Sequence, residues 1–93
     1  MVYKCTRCGK EFETGAVFIN GRVYCQDCAD LVEDIINDYV ASYMEAKLFG
    51  NNPPDLTEYL NSRAEEIESL KLKPSWFRLQ ILTRILNQTG GAP

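Results

Sequence analysis

The chain is 93 residues long, 45% apolar and 25% charged, with four cysteines, no histidine and a formal charge of −3. That length fits one domain spanning 1–93, and the proportions are those of a globular chain rather than a disordered one. The absence of histidine excludes imidazole acid–base catalysis, a histidine pH switch and every metal site that needs an imidazole ligand. A chain this short buries only about 60–65% of its unfolded surface, so its core needs a staple. The N-terminus, MVYKCTRCGK, has no apolar signal core and no apolar run approaches a bilayer span, so a soluble, cytoplasmic domain is expected.

The first 28 residues supply the staple. Cys5, Cys8, Cys25 and Cys28 are spaced C-x2-C-x16-C-x2-C. Two cysteines three apart can aim both sulfurs at one ion only where the backbone turns sharply, and Gly9 follows the first pair, where such a knuckle favours positive φ. Two pairs make four soft thiolates, a donor set suited to tetrahedral zinc at about 2.3 Å per bond. Two disulfides would require an oxidising compartment, and a redox C-x-x-C would need no second matching pair. The expected cofactor is therefore one structural Zn2+ per chain, with iron as the alternative ion for the same four thiolates.

Between the pairs, Asn20-Gly21 separates Val17-Phe18-Ile19 from Arg22-Val23-Tyr24, the pattern of a tight β-hairpin. Thr14-Gly15 marks a looser turn. After Cys28 no second glycine knuckle follows; the chain reads ADLVEDIINDYV, which is helical. A knuckle, a hairpin and a helix whose first turn supplies the last ligands make a treble-clef finger. The expected fold class is a small α+β zinc domain, a treble clef followed by two further helices. A helix N-terminus beside Cys25 and Cys28 also suits an anionic cluster, because its free N–H groups can bond sulfur.

Residues 3–37 resemble the N-terminal zinc-binding domain of the ClpX unfoldase. The shared features are Cys5-x-x-Cys8-Gly9-Lys10, the aromatic and aliphatic hairpin, and Cys25-x-x-Cys28 running into an acidic, isoleucine-rich helix. The same segment resembles the second finger of a LIM domain. The resemblance covers about a third of the chain and carries over the four ligands Cys5, Cys8, Cys25 and Cys28. It implies a module that binds proteins and, on the ClpX side, a dimer. The loop between the pairs is shorter than in ClpX, the LIM partner finger is missing, and no G-x-x-x-x-G-K-[ST] phosphate loop occurs.

The first helix is predicted over 26–49, with Leu31, Val32, Ile35, Ile36, Tyr39, Val40, Tyr43 and Met44 on one broad face and Gly50 as its left-handed cap. Asp30, Glu33, Asp34 and Asp38 form a solvated opposite side. Asp55 and Glu58 make a capping box for a second helix over 55–72, with the stripe Leu56, Tyr59, Leu60, Ile67 and Leu70. Tyr39, Tyr43 and Tyr59 read as core residues with their hydroxyls at the rim. Lys73-Pro74 stops the second helix, and Ser75 caps a third over 75–88 that Gly90-Gly91 ends.

That third helix carries apolar residues over an arc roughly 200° wide, more than one neighbour easily covers. Trp76, Phe77, Ile81, Leu82 and Ile85 are therefore the candidate partner-binding residues, with burial in the chain's own core as the alternative. Charge is laid out in blocks: +1 over 1–28, −8 over 29–69 and +4 over 70–93. Four thiolates around a divalent ion bring the total to −5, which disfavours general affinity for nucleic-acid phosphate.

The reading is a non-catalytic, zinc-binding protein–protein interaction module, an adaptor or regulator that dimerises or docks another protein. The alternative is a nucleic-acid-binding regulator using Lys71, Lys73, Arg78 and Arg84. With no phosphate loop, no histidine base and four thiolates filling the metal's coordination, neither an enzyme nor a small-molecule substrate is expected.

Overall fold

The computed structural model describes residues 1–88; the expected stop at Gly90-Gly91 lies outside them. The element order is β1 (Tyr3–Lys4), β2 (Glu11–Phe12), β3 (Val17–Ile19), β4 (Arg22–Tyr24), α1 (Gln26–Leu48), α2 (Leu56–Ser62), α3 (Ala64–Ser69) and α4 (Pro74–Gln88). The strands form two antiparallel hairpins, β1 with β2 and β3 with β4. Asn20 and Gly21, at φ 50° and 78°, make the tight turn of the second hairpin, where both central positions must be left-handed.

α1 begins at the metal-ligand candidates and buries Val32, Ile35, Ile36, Tyr39 and Val40, the centre of the periodic apolar face. Its C-terminus closes with Gly50 at φ 74°: Gly50 N–H donates to Lys47 O at 3.3 Å and Asn51 N–H to Ala46 O at 2.7 Å. That pair of bonds satisfies carbonyls that the last helical turn leaves open.

The single helix expected over 55–72 is two helices. Arg63 breaks it at φ −105°, ψ 13°, where its N–H is shared between Tyr59 O and Leu60 O, each at 3.2 Å. Its guanidinium is tied to Asp38 of α1 at 2.9 Å and to Glu66 at 3.0 Å, which holds the tightened turn in place. Asp55 caps α2 by accepting from Thr57 N–H at 2.8 Å. After α3, Lys71 sits at φ 60°, a left-handed conformation that strains a residue with a Cβ.

α4 starts one residue before the expected range 75–88, so Ser75 lies inside the helix rather than capping it. Pro74 is its first residue, and the carbonyl of Lys73 accepts from Trp76 N–H at 3.0 Å and Phe77 N–H at 3.4 Å. Proline suits that position because its φ is preset and its missing N–H would have had no helical partner.

One core joins the hairpin to all the helices. Its fully buried members are Tyr24, Val32, Ile35, Ile36, Ile67, Leu70, Phe77 and Ile81. Three tyrosine hydroxyls bond backbone carbonyls across element boundaries: Tyr24 to Leu70, Tyr39 to Pro54 at 2.6 Å and Tyr59 to Ile35 at 2.6 Å. Each hydroxyl donates only while protonated. Burial raises all three above the ordinary value of 10, and takes Tyr59 to about 12.

The folded chain thus holds these protons more tightly than the unfolded chain does. Their contribution to stability is complete below pH 10 and is lost as pH rises above it, for Tyr59 through about 12. Denaturant melts between pH 8 and 12 are expected to show flat stability up to about 10 and a fall above it, with tyrosinate absorbance at 295 nm rising alongside unfolding.

Candidate metal centre

The first ligand pair sits on the turn between β1 and β2. Cys5 N–H donates to Lys10 O at 2.9 Å and Gly9 N–H to Cys5 O at 3.0 Å, with Gly9 at φ 75°. This reversal brings Cys5 and Cys8 to the same side. The second pair sits at the start of α1: Cys25 is its N-cap residue and Cys28 lies in its first turn, where Ala29 N–H donates to Cys25 O at 2.9 Å. Thr6 N–H bonds Val23 O at 2.9 Å and docks the knuckle on β4. All four residues named from spacing are thereby brought together.

The four Sγ atoms lie within 4.8 Å of one another. Cys8 Sγ and Cys25 Sγ are 3.7 Å apart, close to the edge of about 3.8 Å that a zinc–sulfur tetrahedron has. Cys5, Cys25 and Cys28 are buried, while Cys8 is exposed at the rim. The donor set and spacing fit one metal ion and suit zinc.

The thiols are electrostatically unequal. Burial pushes Cys5 up, but the backbone N–H groups of Cys8, Cys25 and Arg7 outweigh it and bring Cys5 down to about 6. Burial takes Cys28 up to about 12, with the neighbouring thiols adding to the rise and Arg7 opposing it. Four thiolates at one point repel, so a divalent cation stabilises the deprotonated set.

Arg7 was not singled out by sequence reading. Its Nη1 donates to Cys28 Sγ at 3.7 Å and its Nε to Ser69 Oγ at 2.9 Å. The available signal was its position between two ligands in Cys5-x-x-Cys8, where a cation stands beside concentrated negative charge.

The expected partner-binding set divides. Phe77, Ile81 and Ile85 are core residues, because α4 lies against α1 and α2 and turns that stripe inward. Trp76 is half-buried, edge-on to Phe77 with ring centroids 5.1 Å apart. Leu82 is exposed, together with Leu79 and Leu86 of the same helix. Among the basic residues, Arg84 donates to Glu33 at 3.0 Å and Asn37 at 2.7 Å, and Arg78 donates to the Thr57 hydroxyl. The acidic side of α1 is exposed as expected at Asp30, Glu33, Asp34 and Asp38, and two of these acids, Glu33 and Asp38, also pair with arginines.

No protein-family model, curated protein or solved structure matches the chain. Among the described residues, no helix is long and apolar enough to cross a membrane.

A Cys25→Ser variant is expected to lose the metal and unfold the hairpin, because binding energy at such a site is folding energy of about 10 kcal/mol or more. Tyr24 shares the core with Leu70, so the helical circular-dichroism signal and melting temperature should fall together with metal content. Helices that melt unchanged after metal loss would instead be an independent bundle.

Proposed function

We propose that the chain is a treble-clef zinc module of the cytoplasm that acts by binding protein, without catalysis, and that it pairs with a second copy of itself. The observation that carries the interaction reading is the exposed leucine stripe of α4. Leu79, Leu82 and Leu86 are 60%, 49% and 63% exposed, and helical geometry places them within about 60° of arc. Large apolar side chains gathered on one exposed stripe suit contact with another protein surface.

The order knuckle, hairpin, helix supports the treble-clef assignment, with Cys28 in the helix's first turn. Four cysteine ligands fill a tetrahedral ion's coordination and leave no position for water or substrate. Self-pairing is supported by the polar residues beside the stripe. Thr83 and Asn87 each donate and accept hydrogen bonds, and α4 has no acidic residue, so two copies meeting there avoid the repulsion that the acidic middle imposes. The engagement of Arg78 and Arg84 within the chain favours a protein partner over nucleic acid.

Native mass spectrometry tests this reading. A dimer with one zinc per chain is expected, and Leu82→Asp should give a folded monomer that keeps its zinc. Phe77→Asp, at a buried position, should unfold instead, separating interface from core. A wild-type zinc-loaded monomer would remove the self-pairing, and absence of metal would remove the module itself.

A further inference from the structure

The knuckle carries, besides two ligands, a residue that reaches the far end of α3. The Arg7 guanidinium bonds in two directions, to Cys28 Sγ at 3.7 Å and to Ser69 Oγ at 2.9 Å. Ser69 is the last residue of α3, and its hydroxyl donates to Glu66 O at 2.7 Å. The next residue, Leu70, accepts the Tyr24 hydroxyl on its carbonyl, and Tyr24 immediately precedes the ligand Cys25. Two contacts from the metal-binding region therefore grip the same helix end, just before the left-handed Lys71.

We propose that Arg7 is a positioning residue that couples metal occupancy to the docking of the α3 C-terminus, holding the Cys28 sulfur on one side and Ser69 on the other. The proposal rests on the reading of the cysteine cluster as a metal site. A guanidinium donating to a ligand sulfur stabilises the anionic, metal-bound form and fixes the sulfur's position. The same guanidinium is oriented by Ser69, so a hydroxyl on a helix that supplies no ligand tunes the centre. Linkage makes the effect reciprocal: whatever α3 docking adds to metal affinity, metal binding adds to α3 docking. Arg7 and its bond to Ser69 are solvent-exposed, which keeps the effect modest.

The test is zinc affinity of the full chain, by competition with a chromophoric chelator, for wild type, Arg7→Met, Ser69→Ala and the double variant. Arg7→Met is expected to weaken zinc binding about tenfold. Ser69→Ala is expected to weaken it about threefold. The double variant should be no weaker than Arg7→Met alone, because the serine acts through the arginine. Hydrogen exchange should show residues 67–72 less protected in both single variants with zinc bound.

Alanine is the better helix former, so Ser69→Ala should keep its fold, as circular dichroism would show. Wild-type zinc affinity in Ser69→Ala, or losses that simply add in the double variant, would overturn the coupling while leaving the metal site intact. A wild-type chain that binds no zinc would remove both readings.

Discussion

Convergence of four sulfur atoms to within 4.8 Å is the constraint on which the rest of the structure depends. The segment before α1 has strands of only two or three residues, far too short to hold together by their own ladders. Its segments meet at the cysteines, where the knuckle, the β3–β4 hairpin and the first turn of α1 come to one point. A metal ion suits that point because it removes the mutual repulsion of the thiolates and converts it into cross-links between segments about twenty residues apart in sequence. α1 begins in that cluster, so the orientation of the longest helix relative to the hairpin follows from the ligand geometry.

From α1 outward the fold is held by apolar burial, with polar groups setting registration. Ile35 and Ile36 share one buried core with Phe77 and Ile81, while the tyrosine hydroxyls bond backbone carbonyls of neighbouring segments. A tyrosine does both tasks: its ring adds to the core and its hydroxyl selects a single register for the neighbouring segment. Arg63 and Arg84 act similarly on the surface, each drawing a carboxylate of α1 to another helix. Such exposed pairs add little stability, but they neutralise part of the acidic run from 29 to 69.

α4 is divided into a buried and an exposed apolar face. Phe77, Ile81 and Ile85 are four apart and line the side that α1 and α2 cover. Leu79, Leu82 and Leu86 lie on the opposite side, at the three-then-four spacing that helix–helix contacts use. The metal-binding region therefore sets the scaffold, the core fastens α4 to it, and α4 presents apolar surface away from both. The Arg7 bridge adds communication between the centre and the helix end that precedes α4.

Local rules were sufficient wherever neighbours in sequence determine the outcome. The two C-x-x-C pairs, the Asn20-Gly21 turn, the apolar face of α1 and its glycine cap depend on steric and periodic preferences within a few residues. The break at Arg63 was not legible, because the stripe Leu56, Leu60, Ile67 and Leu70 suits one straight helix, and the interruption is accompanied by ties to Asp38 and Glu66. Nor was the bond from Arg7 to Ser69, which lies 62 residues away. Sequence alone determined which residues can hold a metal and which helix faces are apolar, since donor type and periodicity are local properties. Only the tertiary structure decided which apolar face of α4 stays exposed and which cations are engaged within the chain, because both depend on what packs against each surface.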